Sequence, residues 1–260
     1  MTITKVVKKY GNSGGVYLPV DWIGGKVKIE LVEQPIDPKK DLLENLPLEH
    51  IVSVILYGSY ARDEITDGSD MDVIIVTDGT AIKIPQQIRE RYDIQVKDVA
   101  NLKNLVEHDP IVYKVVKDES FALFNHKFLE ELKQINPTAS RSTKFRLDMA
   151  ESSMNIVKGF MAEGADPIDL VYPLILRLKE ALFIECFLTN KQYTTALLKK
   201  EITNHGISAQ NFVTLINIYR TVRDNKRQKQ NISIDVVEKL VSLLEAKLSY
   251  VKQKTLTKRH

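Results

Sequence analysis

Two apolar runs, Ile51–Leu56 and Val73–Val76, constrain this chain more than any other feature, because of what joins them. Each run is the length of a buried strand, and neither is long enough for a buried helix. The first ends in Gly58-Ser59, ten residues follow, and Asp70-Met71-Asp72 leads directly into the second. Side chains alternate along a strand, so this spacing predicts Asp70 and Asp72 on one face and Met71 in the packing layer. Two carboxylates on one face repel each other unless a positive charge neutralises them. Hard, oxygen-binding cations, Mg2+ foremost, do this while also holding phosphate oxygens. A glycine where a strand breaks off lets backbone approach a ligand, and the serine adds a hydroxyl and a turn amide suited to phosphate. The bland alternative is a solvated acidic turn between two core strands.

Gly58-Ser59-Tyr60-Ala61-Arg62 followed by Gly68-Ser69-Asp70-Met71-Asp72-Val73 resembles the signature of the DNA polymerase beta-like nucleotidyltransferases, in their minimal prokaryotic branch. The resemblance covers roughly residues 45 to 125. It implies Mg2+-dependent transfer (Mn2+ being the alternative ion) of a nucleoside monophosphate from a triphosphate such as ATP to a hydroxyl, with pyrophosphate leaving. It also implies that Gly58 and Ser59 hold the triphosphate and that Asp70 and Asp72 carry metal. Arg62 follows Ser59 and is read either as a phosphate contact or as a plain surface arginine.

Two-metal phosphoryl transfer calls for a third carboxylate from a neighbouring strand. The segment Arg91–Val99 supplies candidates: Ile94 and Val96 mark a strand, with Asp93, Gln95 and Lys97 on its other face. In the resembling family the acid lies nearest the position of Gln95, which can ligate a metal but bears no charge. Asp93, one pleat earlier, is the expected third ligand and catalytic group. Asp98 and a site with no third acid are the alternatives.

At 260 residues the chain can hold two or three compact units. Its single cysteine, Cys186, excludes an internal disulfide, and the five histidines show no metal-ligand spacing. No apolar run approaches the length of a membrane span, and no signal-peptide core is seen, so a cytoplasmic location with no membrane partner is expected. A net charge of +3 is too small to imply nucleic-acid binding by itself. Its distribution says more: Asp63, Glu64, Asp67, Asp70, Asp72 and Asp78 crowd the centre, while the first ten residues and Arg223–His260 are basic.

The expected architecture is a multidomain α/β protein: a small N-terminal β element (1–36), a mixed-sheet nucleotidyltransferase core (37–127) and a C-terminal helical bundle (128–260). Strands are expected at Ile3–Val7, Gly14–Pro19 and Val27–Val32, the last from its alternation. Lys9–Leu31 resembles the AbrB-type swapped-hairpin barrel, carried by Gly11-Asn12-Ser13, Leu18-Pro19 and Gly25-Lys26-Val27. That resemblance implies a homodimer, with Lys5, Lys8, Lys9 and Asn12 as DNA-phosphate contacts; a purely dimerising element is the alternative. Beyond Phe128 the period becomes helical. Phe145, Met149, Ser152-Ser153, Ile156, Val157 and Phe160 recur at three and four, the period of an amphipathic helix. Ile175, Leu178, Leu182, Phe183, Cys186 and Phe187 mark a second helix, central to the bundle. This region is similar to HEPN-type helical domains. No histidine follows Arg220 or Arg223 at the spacing of the RNA-cutting members, so ribonuclease action is not expected. Arg220, Arg223 and Arg227 remain candidates for a DNA or RNA backbone or for the triphosphate. The competing functional class is a dimeric DNA-binding regulator whose central domain binds nucleotide and turns it over weakly or not at all.

Overall fold

The structure, a computed structural model, describes residues 3–32, 35–62, 64, 71–138, 140–223 and 230–257. It divides into two compact units, one of residues 1–99 and 119–130, the other of residues 100–118 and 131–260. Residues 100–118 cluster with the C-terminal helices and residues 119–130 with the sheet.

The first unit is built on a four-stranded mixed sheet. Its strands are β3 (Ile51–Tyr57), β4 (Met71–Thr77), β5 (Tyr92–Asp98) and β6 (Ser120–Phe124), in the spatial order β5-β4-β3-β6. β3 pairs antiparallel with both β4 and β6, and β4 pairs parallel with β5. One face carries Val54, Leu56, Met71, Val73, Ile75 and Tyr92, packed with Leu42 and Leu46 near one helix and Ile88 of another. Those helices are α1 (Pro38–Asn45) and α2 (Gln86–Arg91). Leu42 and Ile88 are fully buried, each contributing roughly 1.5–3 kcal/mol.

Local chemistry starts α1 where it starts. The Asp37 carboxylate accepts from the amides of Lys39 and Lys40, and Pro38 occupies the first turn, where a missing N–H costs nothing. Asp41 then accepts from the Tyr92 hydroxyl at 2.9 Å and from the Arg91 guanidinium at 2.7 Å, fastening α1 to the start of β5.

Ahead of this sheet, β1 (Lys8–Tyr10) and β2 (Ser13–Gly15) form a hairpin, turned at Gly11 with φ +55°, and Val20–Trp22 make one 3-10 turn. Val27–Val32, expected as a strand, forms none. Alternation prescribes two faces, but a strand also needs a neighbour to close its hydrogen-bond ladder, and among the described residues no strand pairs with this segment. The first strand likewise forms at Lys8–Tyr10 rather than at Ile3–Val7, because it is Lys8–Tyr10 that meets Ser13–Gly15 across the turn.

The second unit is helical: α3 (Val99–His108), α4 (Pro110–Asp118), α5 (His126–Lys133), α6 (Ser140–Ala162), α7 (Pro167–Thr189), α8 (Thr195–Asn204), α9 (Ala209–Arg223) and α10 (Ile234–Thr257), with α3 and α5 crossing the division between units. Its core surrounds α7, which buries Leu170, Leu174, Leu178, Leu182 and Cys186, among others. Asp166 caps α7 through the Ile168 amide, and Pro173 lies inside the helix. Asp109 caps α4 by accepting from Ile111 and Val112, as its place before Pro110 predicts.

α6 carries apolar residues on two faces. It buries Leu147, Ala150, Met154 and Val157 in the core, whereas Phe145, Met149, Ile156 and Phe160 lie exposed on another face. Two apolar stripes run along one helix, and the bulkier of them is the outer one.

Candidate functional site

The site is assembled where β3 ends. After Tyr57 the chain turns at Gly58, whose φ of +77° is left-handed and strained for any residue with a side chain. The same glycine has a second constraint: a Cβ there would collide with the Asp72 carboxylate. The Asp72 carboxylate therefore lies directly against the glycine turn. Register explains the approach, since Tyr57 is the antiparallel partner of Asp72.

Across the other edge of β4, Asp72 is the parallel partner of Asp93, so the two carboxylates stand level on adjacent strands. Asp93 is exposed and Asp72 half-buried. Gln95 lies one pleat further on and donates to the Tyr57 hydroxyl at 2.9 Å. Burial raises the Tyr57 phenol above its ordinary pKa, the Asp72 and Asp93 carboxylates raise it further, and the Gln95 bond opposes them in part. The phenol therefore stays protonated beside both acids.

Asp98 does not join this cluster. It pairs with Thr77 at the opposite end of β4, roughly 16 Å from Asp93 by strand rise. Asp70 lies outside the described residues, as does Arg227.

The segment after Gly58 is a turn closed by Arg62 N–H to Gly58 C=O at 3.1 Å and Glu64 N–H to Ser59 C=O at 2.9 Å. Gly58's own amide donates to the Glu119 carbonyl at 3.1 Å, so the glycine contributes shape and proximity more than a donor. Arg62 is drawn inward. Its guanidinium donates to Glu64 at 2.8 Å and also to Glu119, with the side chains of Arg62 and Glu119 only 12% and 2% exposed. This arginine is no plain surface residue: it fastens the turn to the start of β6.

Sequence reasoning missed Tyr57 and Glu119. The signal for Tyr57 was its place at the end of β3 on the face of Asp72, visible only once the β3–β4 register is known. The signal for Glu119 was a charge abutting the apolar run Phe121–Phe124.

Of the remaining candidates, Lys5 and Asn12 are exposed near the N-terminal hairpin, and Lys8 and Lys9 lie within β1. Arg220 and Arg223 fall in the last turn of α9, in the helical unit.

Among the described residues no group of three or more His, Cys, Asp or Glu side chains gathers for a metal. The donor set present, two level carboxylates beside a glycine that leaves room for one of them, suits a hard divalent ion by its chemistry. Among the described residues no helix is long and apolar enough to cross a membrane.

A comparison with curated proteins finds no match. Residues 39–154, which span this sheet, its glycine turn and both level carboxylates, match the family model described as nucleotidyltransferase domain, a match that supports a transferase activity.

Proposed function

We propose that the chain is a Mg2+-dependent nucleotidyltransferase that moves AMP from ATP to a hydroxyl of a nucleic acid, a protein or a small molecule. The observation that carries this reading is the Asp72 carboxylate laid against Gly58 with Asp93 level beside it. In the proposed reaction the acceptor oxygen bonds to the α-phosphorus, the α–β phosphoanhydride bond breaks, and pyrophosphate departs with the electron pair. Asp70, Asp72 and Asp93 would hold the divalent ion, Mg2+ or Mn2+, which neutralises phosphate charge when bound. Asp93, the more exposed of the two described acids, would take the acceptor proton. Ser59 offers the hydroxyl and amide for the phosphates, and Arg62 keeps that turn in place through Glu119. Gly58 is required by shape: Gly58→Ala both strains the turn and displaces Asp72.

A second reading is favoured by two observations. Gln95 stands where a third acid is expected and is hydrogen-bonded to Tyr57. The N-terminal residues also expose Tyr17, Val20, Ile23, Ile29 and Val32, more apolar surface than so short a segment can cover alone. On this reading the AbrB-like element forms a homodimer that binds DNA through Lys5, Lys8, Lys9 and Asn12. The HEPN-like helical unit then adds Arg220, Arg223 and Arg227 toward nucleic acid, and the central domain binds nucleotide with little turnover.

One experiment separates the two. The full chain is incubated with each α-labelled triphosphate, Mg2+ or Mn2+, and total RNA or total protein. Label transfer that falls at least about 100-fold in Asp72→Asn, with circular dichroism unchanged, supports the transferase. Transfer that survives in both Asp70→Asn and Asp72→Asn, or tight DNA binding with no transfer, overturns it.

A further inference from the structure

The outer stripe of α6 has a symmetry that its composition alone does not require. Phe145, Met149, Ile156 and Phe160 are 63%, 42%, 60% and 50% exposed. At 100° per residue they fall within an arc of about 60° on the helix surface. Their spacing is the same from either end, with a phenylalanine at each extreme. Phe145 and Phe160 are equidistant from the Ser152–Ser153 peptide, Met149 and Ile156 are equidistant inside them, and small serines occupy the centre. A two-fold axis at that peptide therefore brings Phe145 of one helix beside Phe160 of an antiparallel copy, Met149 beside Ile156, and Ser152 beside Ser153.

Three further features fit such a pairing. Ser152 donates its hydroxyl to the Asp148 carbonyl at 2.9 Å, so covering it leaves no donor stranded. Gly159 faces open space, leaving room for an aromatic ring next to Phe160. Exposed Arg141 and exposed Glu163, at opposite ends of the stripe, come within one residue of each other across the same axis, so unlike charges meet at both rims. The four apolar side chains present on the order of 400 Å² per copy, as large as the biggest apolar patch of an ordinary monomer. We propose that this face of α6 docks on α6 of a second copy of the chain, as an antiparallel two-fold helix pair. The proposal is independent of the transferase reading and of any pairing by the N-terminal element.

The test is site-directed cross-linking of the full chain. Cys186, the single native cysteine, is buried, so an introduced cysteine reports alone. In an antiparallel pair centred here, the two copies of position 152 flank the axis at a separation that a disulfide spans. Ser152→Cys should oxidise to a covalent dimer, while Glu151→Cys, on the opposite side of α6, should not. Adding Ile156→Glu to Ser152→Cys should abolish the dimer with helicity retained. Arg141→Glu should slow cross-linking several-fold, and Glu163→Arg added to it should restore the rate. Ser152→Cys cross-linking no faster than Glu151→Cys overturns the proposal, as does cross-linking indifferent to Ile156→Glu. A different protein captured at position 152 in place of a second copy also overturns it.

Discussion

α6 and α7 are each 23 residues long and pack against each other, yet they hold their apolar side chains differently. α7 is surrounded by neighbours and buries apolar residues almost all round, Val171, Ile175, Leu178, Leu182 and Cys186 among them. α6 turns Leu147, Ala150, Met154 and Val157 toward that core and leaves two phenylalanines, a methionine and an isoleucine facing outward. Periodicity identifies which residues share a face. Whether that face is covered depends on how many neighbours the helix has, and a helix at the edge of a bundle has one covered face only. The charged pairs differ in the same way: Arg62–Glu119 is enclosed, whereas Lys158–Glu245 on α6 and α10 lies in solvent.

These contrasts can be tested by substitution. The largest expected effect is in the core helix. Leu178→Ala should cost about 4 kcal/mol, because a fully buried site in the middle of a bundle relaxes little around the cavity. Phe145→Ala, measured by the same urea unfolding at high dilution, should stay within about 0.5 kcal/mol despite deleting a larger side chain. Equal costs at the two positions would remove the distinction between the two helices.

Arg62→Met comes next, with an expected loss of about 3 kcal/mol, since it takes the guanidinium away from a Glu119 carboxylate that is 2% exposed. Lys158→Met, removing the cation of a solvated pair, should cost no more than about 1 kcal/mol.

The smallest effect is that of Asp78. Its carboxylate accepts from the amide and the side chain of Thr80 and from His50, which lower its pKa from 3.8 to about 2. A depressed carboxylate contributes stability above its unfolded value and loses it as pH falls through the folded one. The contribution of Asp78 should thus be complete above pH ~4 and fade toward pH ~2. Carboxyl carbon shifts followed by NMR should titrate with a midpoint near 2 for Asp78 and rise slightly in His50→Ala.

The central sheet was legible in the sequence because strands buried on both faces leave few choices: Ile51–Leu56 and Val73–Val76 had to be interior, and the turn chemistry between them located Gly58 beside Asp72. Helix starts were legible for a similar reason. Asp109 before Pro110 has few other uses for its carboxylate than the cap it makes. What was not legible depended on partners distant in sequence. Tyr57 joins Asp72 and Gln95 only through cross-strand register, Arg62 meets Glu119 across 57 positions, and Val27–Val32 needs a strand beside it that no local pattern specifies. The outward stripe of α6 belongs to the same class, since its regular spacing is equally that of a buried face.

The sheet unit is not one continuous piece of chain. Its last strand, β6, arrives only after residues 100–118 have passed through the helical unit, and the chain then crosses over again near residue 130. No single cut separates the two bodies, so a truncation meant to isolate either one also mutilates the other. During synthesis β3 and β4 emerge well before the segment whose Glu119 carbonyl secures Gly58. The glycine turn is therefore among the last parts of the sheet to be locked, and any activity that depends on it waits for a strand that emerges more than 40 residues after β4.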